Sequence, residues 1–177
     1  MPNRLNVLMP HFARHEGQWI GTYTHTTPDG AVNDQYEVRI IAELPDDQSS
    51  DFRLITHNIW ADGRESRGVY EAVYRDGKLW FDGDLIGSMW EVDDMTVYLR
   101  FGFRHDPSIT VCEMLQISAD GQRRARTWHW FRDETLFQIT LTKERRWANP
   151  SAAPPPRRSG DGLIRDAISA RVNKAGD

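Results

Sequence analysis

Cysteine is almost missing from this 177-residue chain, and the lone Cys112 excludes an intrachain disulfide and a thiolate zinc cluster. No apolar run is long enough to span a membrane as a helix, and Leu5 to Met9 is too short for a signal-peptide core. Gly-x-Ser-x-Gly, a phosphate loop and a dinucleotide fingerprint are all absent. No spacing of His, Cys, Asp or Glu matches a zinc or calcium site. A basic surplus is lacking as well: a net charge of −4, with both signs interspersed, gives no field for nucleic acid. Long helical periodicity is missing, which argues against parallel βαβ construction. These absences lead us to expect one cytoplasmic domain with no metal, no cofactor, no nucleic-acid partner and no membrane partner.

What the chain has is aromatic residues and turns. Seven Trp, seven Phe and five Tyr supply large apolar surfaces despite a hydrophobic share of only 39%. Alternating runs are expected as strands over 18–26, 32–44, 52–60, 64–74, 78–81, 86–92, 95–104, 109–119, 122–132 and 135–143. Turn signals such as Pro28-Asp29-Gly30, Asp62-Gly63, Asp76-Gly77 and Asp120-Gly121 separate them at sandwich or barrel spacing. Nearly every connection is hairpin-length, and so long a meander exposes edges unless it closes. The expected fold is all-β: a closed antiparallel up-and-down β-barrel of about eight to ten strands. A lead-in segment (1–16) precedes it, with a helical turn at Phe12-Ala13-Arg14. The barrel occupies 17–147, and 148–177 reads as a Pro/Ala-rich linker with a short amphipathic helix over Gly162 to Val172.

Asp120-Gly121 fixes the most informative register. A hairpin closed there sets Glu113 opposite Trp128, Val111 opposite Trp130, Leu115 opposite Arg126 and Ile117 opposite Arg124. Pairing across Asp76-Gly77 groups Tyr70, Ala72 and Tyr74 with Leu79 and Phe81. A turn at Asp94-Met95 groups Trp90 with Leu99 and Phe101, and one at Asp133-Glu134 sets Phe137, Ile139 and Leu141 opposite Trp130, Trp128 and Arg126. Asp62-Gly63 leaves two choices. A tight turn sends Ile55, His57 and Ile59 inward, whereas a bulge selects Leu54, Thr56, Asn58 and Trp60.

Gly17-Gln18-Trp19, at the start of the first strand, resembles the Gly-x-Trp motif of lipocalins and the wider calycin group. The run through Thr22 is similar to bacterial lipocalin-like proteins of unknown function and, more distantly, to phycobilin lyases. The resemblance implies that Trp19 sits at the closed barrel end under an Arg just past the last strand. Of Arg145 and Arg146, Arg145 shares the parity of Phe137, Ile139 and Leu141 and is the expected partner. A further resemblance, to haem-binding nitrobindin-type barrels, implies His129 or His57 as an axial ligand, although no motif supports haem.

Glu113 interrupts an apolar face, where lost hydration raises a carboxyl pKa unless a cation compensates. It is either an acid/base or ligand anchor, or half of a buried ion pair with Arg126. Arg126 and Arg124 are candidates for a ligand's acid group, with Trp128, Trp130, Trp90 and Phe101 as apolar walls. The leading reading is binding of a small, largely apolar or aromatic molecule that could carry an acid group. A cofactor-independent isomerase, cyclase or lyase with Glu113 as acid/base and Tyr70 as partner is the alternative. A homodimer formed through the outer face or tail is the third.

Overall fold

A computed structural model describes residues 3–46 and 49–147; the expected linker and amphipathic helix of 148–177 lie outside the described residues. Ten strands follow two single-turn helices, α1 (Leu5–Leu8) and α2 (Pro10–Ala13). The strands are β1 (Gly17–Thr26), β2 (Val32–Glu43), β3 (Phe52–Ile59), β4 (Glu65–Arg75), β5 (Lys78–Asp82), β6 (Leu85–Glu91), β7 (Thr96–Phe103), β8 (Asp106–Ile117), β9 (Arg123–Arg132) and β10 (Thr135–Arg146). Each pairs antiparallel with its sequence neighbour, and β1 pairs with β10 to close the up-and-down barrel. Closure gives every strand a partner on each side.

Turn chemistry decides which residues face inward. Asp76 and Gly77 both adopt positive φ, the tight hairpin geometry, and Arg75 pairs with Lys78 as expected. At Asp62-Gly63 the chain takes the bulged alternative: Gly63 is at φ 86° and Trp60 N–H donates to Arg64 C=O. Leu54, Thr56, Asn58 and Trp60 therefore line the interior. The β8–β9 register matches the expectation, with Glu113 opposite Trp128 and Ile117 opposite Arg124. The connection is not the tight turn, however: Ser118 N–H donates to Arg123 C=O around Ala119–Gln122. That loop is longer by an even number of residues than the tight turn, so parity survives.

Two registers depart from the sequence reading. Between β6 and β7 the expected turn at Asp94-Met95 gives way to a wider loop, in which Asp93 Oδ1 accepts from Met95 N–H and Thr96 N–H. Met89 then pairs with Leu99, which turns Met89 inward and Trp90 outward. Trp90 consequently packs on the outer face under Lys78 Nζ and is not part of the cavity wall. Asp133 and Glu134 do form the tight turn, but the register shifts between Leu136 and Gln138. This bulge reverses β10: Gln138, Thr140, Thr142 and Glu144 are buried, while Leu141 is exposed.

The same bulge corrects the residue expected over Trp19. Arg145 is exposed, and Arg146 lies over the indole at 4.5 Å. Arg124 also lies over the ring at 4.3 Å, so Trp19 meets two guanidiniums. Its Nε1–H donates to His15 C=O at 2.9 Å. Arg146 also donates to the carbonyls of Arg14, Glu16 and Gly121, tying the lead-in and the β8–β9 loop to the end of β10.

Residues 3–15 plug that end. Leu5, Met9 and Phe12 are buried in the core, and Phe12 meets Phe52 edge-on at 4.9 Å. Asn3 Nδ2 donates to the carbonyls of Pro45 and Asp51, Arg4 forms a bidentate pair with Asp51, and Glu91 accepts from Phe12 N–H. The sequence reading had only an irregular lead-in with one helical turn here.

Gly17 explains why glycine opens the Gly-Gln-Trp run. Its φ is 120°, and a Cβ there would stand 2.6 Å from an Arg146 guanidinium nitrogen. Gly17→Ala is expected to cost about 1–3 kcal/mol in urea unfolding, through strain at that φ. Gly83→Ala, where an added Cβ meets nothing within 4 Å, is expected to unfold like the parent chain.

Candidate functional site

The interior holds a cavity of about 160 Å³. It runs from Phe12 and His15, beneath the helical plug, to Trp60, Ser66 and Arg67 near the β3–β4 hairpin. Tyr70, Phe101, Trp128 and Trp130 line it, together with Glu113, Arg124 and Arg126. Trp128 meets Phe101 and Tyr23 edge-on, and Trp130 stacks on Phe103.

Beside Trp19 the wall becomes charged. Arg126 Nε donates to Glu113 Oε1 at 2.5 Å, and another of its N–H groups donates to the Tyr23 hydroxyl at 2.5 Å. Arg124 donates to Glu144, and Arg126 also lies 3.6 Å from Glu144. All four charged side chains are buried, and two cations and two anions form an ionic square linked along three sides, Glu113–Arg126–Glu144–Arg124. Gly21 makes the arrangement possible. It pairs with Glu144 across β1 and β10, and a Cβ on it would lie 2.7 Å from Glu144 Cγ. A glycine inside a strand otherwise rich in aromatic and β-branched residues marks such a close approach, and it is the signal by which Glu144 could have been found.

Burial strips water from Arg126, but the carboxylates of Glu113 and Glu144 and the Tyr23 oxygen outweigh that cost and raise its pKa. For Arg124 burial dominates, and its pKa is lowered despite Glu144. Burial likewise pushes the Tyr23 phenol well above its ordinary value. His15, 2% exposed, is held well below the usual imidazole range, first by burial and then by Arg124 and Arg126.

Several buried polar atoms of this wall have no hydrogen-bond partner among the described residues: Glu113 Oε2, Trp128 Nε1, an Arg124 nitrogen and both His15 nitrogens. Such orphans are costly, and native interiors seldom keep them.

A second polar group, on β1, β2, β9 and β10, is saturated. Gln138 Nε2 only donates, which makes His25 Nδ1 an acceptor, so Thr140 Oγ1, itself accepting from Trp130 Nε1–H, gives its own hydrogen to the same nitrogen. His25 therefore carries its proton on Nε2 and donates it to the Tyr36 hydroxyl at 3.0 Å. Neither Gln138 nor Thr140 was expected inside.

The structure brings Glu113, Arg126, Arg124, Trp128, Trp130, Phe101 and Tyr70 to one cavity and leaves Trp90 outside it. Tyr70 is turned elsewhere on the wall: its ring and hydroxyl lie over Gly68. His57 pairs with Glu65 at 2.9 Å, and His129 is exposed. Neither lines the cavity, so these residues do not fit an axial-ligand role. No group of three or more His, Cys, Asp or Glu among the described residues could hold a metal ion. No described helix is long and apolar enough to cross a membrane.

Two outcomes follow from the ionic square. Arg126→Met leaves Glu113 unpaired and is expected to cost about 3–5 kcal/mol in chemical denaturation. Glu113→Gln combined with Arg126→Met should recover much of that loss, because no charge is then stranded. A histidine with a depressed folded-state pKa binds protons preferentially in the unfolded chain, so its stabilising contribution is lost as pH falls below about 6.5. Unfolding free energy should therefore fall on acidification below that pH, by up to about 1.4 kcal/mol per pH unit from His15, and the slope should flatten in His15→Asn.

Residues 8–149 match the family described as Domain of unknown function (DUF3598), N-terminal. A solved protein of unknown function from the DUF3598 family of Nostoc punctiforme PCC 73102 is 17% identical, with a TM-score of 0.59. The match covers 76% of this chain and 48% of that one, so the chain spans about half the length of that relative. Rv2717c from M. tuberculosis is 14% identical with a TM-score of 0.54, over 80% of this chain and 98% of that one. At these identities the likeness concerns the fold. No curated protein matches the sequence. With its family match running from the helical plug to the end of the last strand, the chain belongs to the DUF3598 family.

Proposed function

We propose that the barrel binds a small, largely apolar or aromatic molecule in its interior. The observation that carries this reading is the cavity of about 160 Å³, walled by aromatic rings and lined by residues that carry buried polar atoms without partners. That combination of apolar wall and few convergent polar groups is the usual makeup of a ligand site. The volume sets the scale. It lies below the ~300–1,000 Å³ of drug-sized sites and close to the roughly 150 Å³ engineered cavity that accepts benzene. A one-ring molecule is therefore the natural occupant. A place in the calycin group belongs to the same reading, supported by the closed meander, Gly17-Gln18-Trp19 and the Arg146 cover.

An acid–base role for Glu113 has less support. Its hydrogen-bond donor is the Arg126 guanidinium, which does not give up a proton, while the Tyr70 hydroxyl packs over Gly68.

Titration with toluene, followed by tryptophan fluorescence and native mass spectrometry, is expected to give saturable one-to-one binding. Val97→Phe fills the cavity from the β7 wall, so it should abolish binding while circular dichroism stays unchanged. Unaltered binding by a folded Val97→Phe would place the ligand elsewhere.

A further inference from the structure

We infer that the ligand of this cavity is electrically neutral and carries both a hydrogen-bond donor and an acceptor, the donor meeting Glu113 Oε2 and the acceptor meeting Trp128 Nε1. The inference rests on the proposed binding role and narrows it to a chemical class, an aromatic amide being the simplest member.

Three observations lead there. First, the charges are already balanced. Glu113 pairs with Arg126 and Glu144 with Arg124, all four buried, so a charged ligand would add an uncompensated ion to a water-poor interior. Other cations near the cavity do not change that balance. Arg67 is 36% exposed and paired with Glu65 at 3.5 Å, and Arg146 lies beyond the Trp19 ring with its donors on three carbonyls. Second, the residues lining the cavity carry orphan atoms of both kinds. Trp128 Nε1 and the Arg124 nitrogen only donate, whereas Glu113 Oε2 only accepts while ionised, and neutral His15 offers one of each. A hydrocarbon satisfies none of them, and a carboxylate satisfies only the donors. Third, Glu113 and Trp128 are directly opposed across β8 and β9, so their side chains rise from the same stretch of wall. A carboxylate drawn to the indole N–H would come up beside Glu113 and be repelled. An amide presents its C=O to Trp128 and its N–H to Glu113 without a net charge.

The expectation of an acid-bearing ligand treated Arg126 and Arg124 as free anchors. The inward turn of Glu144, which follows from the β10 bulge and Gly21, removes that freedom.

Benzamide, benzoate and toluene share one ring and differ in the group that faces the wall, so calorimetric titration of the full chain at pH 7.5 separates the cases. The inference predicts benzamide at least tenfold tighter than both benzoate and toluene. Benzoate equal to or tighter than benzamide overturns the neutral-ligand inference and leaves cavity binding standing. Toluene equal to benzamide overturns the role of the polar wall atoms. Absence of binding by all three overturns the binding role itself, and the inference with it. Trp128→Phe keeps the ring and removes the N–H; it should weaken benzamide about tenfold and leave toluene unchanged. An unaltered benzamide affinity in that variant contradicts the assignment of the acceptor to Trp128.

Discussion

Four buried charges that must find one another constrain this barrel more than any apolar contact does. Taking a carboxylate or guanidinium out of water costs several kcal/mol, and only a partner at hydrogen-bond distance offsets it. Glu113 comes from β8, Arg124 and Arg126 from β9, and Glu144 from β10. A slip of one residue in any of these strands would send a charge outward and strand its partner inside. The square thus holds three strands in register, and Gly21 on β1 provides the space for it. Trp19, in contact with both Arg124 and Arg146, joins the square to the barrel end and to the plug.

Much of this was legible in the sequence. Alternation and turn residues gave the ten strands and their order, and Asp120-Gly121 gave the register that turns Glu113 and Arg126 inward, even though the loop formed there is wider than a tight turn. What escaped was the orientation of β10 and β6. Ile139 and Leu141 look like core residues, and Gln138, Thr140, Thr142 and Glu144 look like surface. The structure reverses them, because the interior facing β10 is occupied by Arg124, Arg126 and His25, which need polar partners. Binary patterning assumes an apolar core, and it inverts where the core is ionic. The bulge between Leu136 and Gln138 has no turn residue to announce it. At β6 the error came from treating Asp94 as a turn residue, when Asp93 organises a longer loop by accepting two backbone N–H groups.

The two interior polar groups differ in a way that bears on function. Around His25 each donor meets an acceptor, which suits a structural brace between β1, β2, β9 and β10. Around Glu113 and Trp128 the pairing is incomplete, and the residues that carry the unpartnered atoms line the cavity. A brace and a receptor wall thus stand side by side in the same barrel. The helical plug covers the charged end, keeping bulk water from the ion pairs and from the apolar space next to them.

The central claim is that the interior contains receptive space beside the ionic square, rather than being filled by its own side chains. Xenon under pressure in crystals of the full chain tests it most directly, since the atom enters apolar cavities without needing a hydrogen bond. The account predicts a xenon peak bounded by Phe101, Leu99, Val97 and Trp128, with the Glu113–Arg126 pair intact beside it. An interior without xenon, with those side chains in mutual contact, would contradict it.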